Sequence, residues 1–351
     1  MRRSLLALFL LSPIVLAACD SSADGDLNTD ACTIDQRLFR DGGVGKDGIP
    51  ALTNPEFVAP AAATYLAGSD RVIGIVIDGQ ALAVPHNILW FHEIVNLDRG
   101  GQQLAITYCP LTGTSMTFDR APIDGGELGV SGLLFQSNLT MYDRNTQESL
   151  WPQMNREAGC GERAGQLLPM VASVETTWAG WQAMHPNTLV LSESTGHSRN
   201  YRANGYPYGN YEVPENRSLL VSLPIDDRRL PKERLLGIAD GKGGIALPFT
   251  ELDREGEVNA VEVNVGGEPM VVFWDRSLQG AMAYRPGGRQ FEVVDGTIRD
   301  QQTGSTWRFD GQAVAGAQAG QQLEPVAEAY VAFWFAWALF QPESTLWEAN
   351  I

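Results

Sequence analysis

One cysteine has the setting of a reactive group. In Leu104-Ala-Ile-Thr-Tyr-Cys109-Pro110-Leu-Thr-Gly113-Thr114, alternation puts Ala105, Thr107 and Cys109 on one face of a strand, and Pro110 and Gly113 end that strand in a turn. A thiol at a strand end beside a turn is where a rigid scaffold presents a functional group, although an inert buried cysteine has the same local sequence. Upstream, His92-Glu93 lies on a predicted helix Asn87–Val95 with Asn96 one turn beyond, while His86 falls on another helix face. Imidazole and thiolate together suit copper, zinc or another borderline metal, which makes Cys109, His92 and His197 a candidate metal set. Imidazole beside a thiol also lowers its pKa, so a single-thiol redox site with Cys109 and Glu93 as candidate catalytic residues is the second chemistry. A plain surface His-Glu pair is the alternative without function.

A second feature follows the histidines. Tyr201, Tyr206, Tyr208 and Tyr211 are four of the nine tyrosines, set in a Gly- and Asn-rich segment. Long irregular loops act as lids or binding loops, and tyrosine suits both. A glycan- or protein-binding loop is therefore the rival function, and a cap over a seam between structural units is the bland one.

The elements that must position these residues occur twice. Arg71-Val-Ile-Gly74, Asp78-Gly79 and Ala83-Val-Pro85 match Arg234-Leu-Leu-Gly237, Asp240-Gly241 and Ala246-Leu-Pro248. Gly100-Gly101 to Tyr108 matches Gly266-Gly267 to Trp274; Asp143, Ser149 and Trp151 match Asp300, Ser305 and Trp307. Trp178, Trp181 and Pro186 match Trp334, Trp337 and Pro342. Such order signals an internal repeat. Val72–Ile77, Leu104–Tyr108, Ser115–Phe118, Gly129–Phe135 and Asn138–Tyr142 read as strands, and Val174–Met184 and Tyr330–Phe340 as helices whose tryptophans face the core. The expected fold is β-rich α+β: two tandem homologous units packed as a pseudo-symmetric pair, each of mostly antiparallel strands with two short helices. Asp275 stands where the first unit has Cys109, and no His or Cys occurs after residue 200, so chemistry belongs to the first unit.

The N-terminus reads as an address. Arg2-Arg3, the apolar run Leu5–Leu16 and Leu16-Ala-Ala-Cys19 have the build of a secretory signal and resemble the lipobox of bacterial lipoproteins, with Cys19 as the lipidated residue. The expected organisation is a signal peptide over 1–18, a lipidated cysteine and acidic tether over 19–45, a first unit over 46–193, a connecting loop over 194–233 and a degenerate second unit over 234–351. The expected location is the bacterial cell envelope, lipid-anchored and facing the periplasm or exterior. In such an oxidising compartment Cys32 and Cys160 are natural disulfide partners, which leaves Cys109 free. With 44% hydrophobic residues the chain can build a core, and a net charge of −17 excludes nucleic acid as a partner.

Together, His92-Glu-Ile-Val-Asn96, Thr107-Tyr-Cys-Pro-Leu-Thr-Gly-Thr114, Ser131-Gly132, Met141-Tyr-Asp-Arg144, Ser149-Leu-Trp151, Gly196-His197 and Pro207-Tyr208 resemble the bacterial and archaeal family called domain of unknown function 3179. The resemblance implies a secreted or lipid-anchored protein and supplies no activity. Many members carry a second cysteine where this chain has Thr112, so a two-thiolate clamp or dithiol couple cannot form here from that motif. No hydrolase, nucleotide-binding or zinc-protease signature accompanies it.

Overall fold

The computed structural model describes residues 31–147, 149–202 and 205–349. Cys19 and the signal segment lie outside the described residues, as does the first part of the tether.

The chain begins its main sheets with a tight hairpin. The β-branched run β1 (Arg71–Ile77) turns through Asp78 and Gly79, at φ of 49° and 74°, and returns as β2 (Gln80–Pro85). Two consecutive positive-φ residues of Asp-Gly type match the twist of an antiparallel pair. Pro85 closes the strand and opens α1 (His86–His92). This helix is shorter than the sequence expectation. Glu93 takes φ +55°, and Ile94 and Val95 pair with Thr107 and Ile106 in a strand, where β-branched residues pack well. Asn96 therefore lies in β3 (Ile94–Arg99), and its amide exchanges hydrogen bonds with the Leu128 backbone at 2.9 Å each way.

The first half continues with β4 (Gln102–Cys109), β5 (Thr114–Asp119), β6 (Leu128–Phe135), β7 (Asn138–Asp143), β8 (Leu150–Pro152), β9 (Val174–Thr177), α2 (Trp178–Met184) and β10 (Leu189–Leu191). The second half holds β11 (Arg234–Ile238), β12 (Ile245–Pro248), α3 (Phe249–Glu255), β13 (Val258–Val265), β14 (Glu268–Asp275), β15 (Gly280–Arg285), β16 (Phe291–Val294), β17 (Thr297–Asp300), β18 (Thr306–Trp307), β19 (Ala329–Phe333), α4 (Trp334–Phe340) and β20 (Thr345–Leu346). The expected helices Val174–Met184 and Tyr330–Phe340 each split into a strand and a shorter helix. In the first, Val174–Thr177 pairs with Arg71–Gly74, and the Thr177 hydroxyl caps α2 by accepting the Gly180 N–H at 3.2 Å.

The result is β-rich, with four α-helices among the described residues and mostly antiparallel sheets. Sheet order recurs: β9-β1-β2-β10 and β19-β11-β12-β20 each run antiparallel, antiparallel, parallel. Contacts between the halves are reciprocal. The Phe333 N–H before α4 donates to Thr112 O at 2.8 Å, and the Thr177 N–H before α2 donates to Leu278 O at 3.1 Å. Opposite faces of β4 feed two cores. Leu104, Ile106 and Tyr108 pack with Val271, Phe273 and Tyr284, whereas Ala105 and Cys109 pack with Leu235, Phe333 and Trp337. Trp178, Trp181, Trp334 and Trp337 are buried core residues. A disulfide joins Cys32 to Cys160, and Cys109 is free.

Candidate functional site

Cys109 ends β4 opposite Thr114 and is fully buried. Its Sγ accepts the Leu139 N–H at 3.3 Å, and Thr112 bonds it from the turn. Burial, then the nearby Glu93 carboxyl, pushes the thiol up to about 11, so it is protonated at neutral pH. The equivalent Asp275 instead caps its own turn, accepting from Ser277 and Leu278.

Glu93 is the unusual member. The residue is only 7% exposed, and among the described residues its carboxyl has neither a hydrogen bond nor an ion pair. Burial alone drives it up to about 8. Its φ of +55° is a left-handed conformation that a residue with a Cβ adopts at a cost of about 1–3 kcal/mol. The backbone is held there by Glu93 N–H to Leu89 O and Tyr108 N–H to Glu93 O, both 2.8 Å.

The tyrosine loop closes over these two groups. Tyr206 Oη donates to Pro110 O, and Tyr211 Oη donates to Leu111 O at 2.9 Å, which latches the loop onto the turn after Cys109. Tyr208 packs edge-on to Tyr211 with centroids 6.0 Å apart, and burial together with Glu93 and Cys109 pushes its hydroxyl up to about 12. The Lys232 ammonium sits 3.8 Å above the Tyr211 ring; burial lowers it to about 8. Tyr201, Tyr206 and Tyr211 are only 3–7% exposed, against 47% for Tyr208. The loop thus covers the turn after Cys109 as a lid, with three of its four rings turned inward and Tyr208 exposed.

The candidate metal set is not assembled. His92 Nδ1 lies 2.7 Å from Pro50 O, an acceptor, so Nδ1 carries the proton. Nε2 lies 2.6 Å from Tyr201 Oη, and burial lowers the ring to about 4, so Nε2 is an acceptor already in use. Neither nitrogen offers a lone pair to a metal. His197 is exposed, with its ring 5.1 Å from that of His92. Among the described residues no group of three or more His, Cys, Asp or Glu side chains could hold a metal. Copper ligation by Cys109, His92 and His197 therefore finds no support in the geometry. The left-handed turn at Glu93 separates the two neighbours: the His92 ring meets Tyr201 Oη, while the Glu93 carboxyl lies near enough to Cys109 to raise its thiol.

A buried ionic cluster between the halves escaped sequence reasoning. Glu175 accepts from Ser115 and from Arg234 at 2.5 Å, with His86 Nε2 3.5 Å away. Burial opposes its ionisation, but His86, Arg234 and Arg71 outweigh that and hold it at about 2; burial holds His86 at about 3. Arg71 also pairs with Glu212, and Tyr108 Oη lies 3.3 Å from Tyr206 Oη, so the cluster reaches the lid. The available signal was that Arg71 and Arg234 open the two matched segments Arg71–Gly74 and Arg234–Gly237.

These features define a β-rich protein with one enclosed thiol and carboxylic acid in its first half, closed by a tyrosine lid. The chain belongs to the family described as "Protein of unknown function (DUF3179)", whose model matches residues 46–344. No curated protein and no solved structure matches it.

Proposed function

We propose that this chain is a lipid-anchored protein of the cell envelope whose first half carries a lid-gated thiol site. In this reading Cys109 is the nucleophile and Glu93 its proton acceptor and donor. The observation that carries it is Glu93: a carboxyl without a partner among the described residues, on a residue only 7% exposed and on a strained backbone, close enough to the free thiol for its charge to raise that thiol. Buried polar groups are ordinarily satisfied, and strained, perturbed groups cluster at functional sites. A carboxyl titrating near 8 populates both states around neutrality, as proton transfer requires. With the lid open, Glu93 takes the Cys109 proton, the sulfur displaces one sulfur of a substrate disulfide, and the leaving thiolate recovers the proton from Glu93. The products are a mixed disulfide on Cys109 and a free thiol, so electrons balance without a further oxidant. The recurring element order and reciprocal contacts support two copies of one unit, 46–193 and 234–351, packed as a pseudo-symmetric pair across the loop 194–233.

Alkylation of Cys109 by iodoacetamide, followed by mass spectrometry, tests the site. Tyr208→Ala should speed the reaction, and its rate should rise through an inflection near pH 8. Adding Glu93→Gln should remove that inflection and slow alkylation at pH 8 by about 100-fold. An unchanged profile in the double variant defeats the proposal.

The anchor is tested separately. Cys19→Ser should shift the protein from the membrane fraction to the soluble fraction and abolish metabolic palmitate labelling. Labelling that persists would rule out Cys19 as the lipid acceptor.

A further inference from the structure

The two halves differ at one seam in a way that points to a ligand. In each half a tryptophan of the late helix lies on a glycine of the first strand. A Cβ on Gly74 would come within 2.4 Å of the Trp181 ring, and one on Gly237 within 2.0 Å of the Trp337 ring. In the second half this platform is covered by Tyr330, whose ring centroid lies 5.4 Å from that of Trp337, in a core that also contains Met116. Strand register fixes the equivalent residue. Tyr330 pairs with Gly237 as Val174 pairs with Gly74, so Val174 stands where the other half has a tyrosine.

Over Val174 the structure has an open cleft of about 650 Å³, within the range of small-molecule sites. Gly74, Trp181, Met184 and Met282 line its apolar part. Met282 opposes Phe273 in its hairpin as Met116 opposes Thr107, so the methionine wall recurs as well. The other end is polar. His185 Nε2 lies 3.5 Å from Asp310 Oδ2, and Arg308 binds both Asp310 oxygens through Nε and Nη2. Gln312 completes that end.

We propose that this cleft binds a small phenol-like compound, its ring over Gly74, Val174 and Trp181 where the second half seats Tyr330, and its hydroxyl at His185 and Asp310. Apolar walls with a few convergent polar groups at one end select a flat ring carrying a hydroxyl. The second half supplies the template for the ring position, and the added volume admits substituents beyond a bare phenol. Cys109 and Glu93 play no part in this site.

The probe is p-cresol, the tyrosine side chain as a free molecule, titrated into the full chain by isothermal calorimetry. Saturable binding is expected. Val174→Tyr, which fills the cleft as the second half does, should weaken it by about tenfold or more. Methyl NMR of the wild-type protein gives a readout independent of that variant's folding: p-cresol should show NOEs to the methyls of Val174, Met184 and Met282. No saturable binding, unchanged affinity in a folded Val174→Tyr protein, or NOEs to other methyls only would each overturn the proposal.

Discussion

The double variant Cys32→Ser, Cys160→Ser should lose on the order of 5 kcal/mol of stability, read as a lower guanidinium midpoint at unchanged slope. The bond spans 128 residues, and chain-entropy reasoning gives larger effects for longer closed loops. Its loop encloses Glu93, Cys109 and β1 to β8, so it restrains the first-half strands that carry the thiol site. Cys160 is buried, which leaves little room for the bond to move and relax. A midpoint equal to wild type under oxidising conditions would refute the expectation.

Glu175→Gln should cost about 3–5 kcal/mol at pH 7, the scale for removing one partner of a buried ion pair. Arg71 keeps Glu212, but Arg234 loses the one carboxylate it pairs with among the described residues and stays part-buried against the Phe249 ring. The same residue shapes the acid limb of stability. Glu175 titrates at about 2 folded against 4.5 unfolded, so its contribution is complete above pH 4.5 and is lost as pH falls toward 2. His86 titrates at about 3 folded against 6.5 unfolded, so the unfolded chain takes up a proton first and stability falls from pH 6.5 downward. Glu93 has the opposite sign: its folded value near 8 makes stability fall as pH rises from 4.5. His92, lowered to about 4 in the folded chain, has the sign of His86 and offsets Glu93 between 4.5 and 6.5. Thermal midpoints measured from pH 2 to 7 should decline continuously below 6.5 in wild type. In Glu175→Gln the part below 4.5 should flatten and the part set by His86 should remain. A wild-type midpoint that is level between pH 6.5 and 3 would contradict this assignment.

Strands were legible because period-two patterning is local: Val72–Ile77, Gly129–Phe135 and Asn138–Tyr142 all fall inside observed strands. Helix ends were not. An apolar run cannot distinguish a helix's last turn from the buried strand beside it, so Ile94–Val95 and Val174–Thr177 were drawn into helices they do not join. The thiol and the carboxyl were each visible as candidates, but their nearness depends on a positive φ at Glu93 that no residue type announces. His92 was misread for the same reason, since sequence adjacency to Glu93 suggested a shared site. The tyrosines marked a loop, yet whether they face solvent or core is decided by the carbonyls of Pro110 and Leu111. Glu175 is a single acid in a strand, and only its partners from three other elements make it notable.

The reciprocal bonds from Phe333 to Thr112 and from Thr177 to Leu278 also bear on how the chain reaches this state. Cys109's core is walled by Phe333, Trp334 and Trp337, all of which follow it far along the chain, in the second half. A nascent first half therefore emerges with one face of β4 uncovered, and its thiol becomes enclosed only when α4 arrives. Contacts this distant in sequence make folding slow and late. The unpaired cysteine is thus open to oxidation or mispairing with Cys32 and Cys160 until the second half has folded onto it.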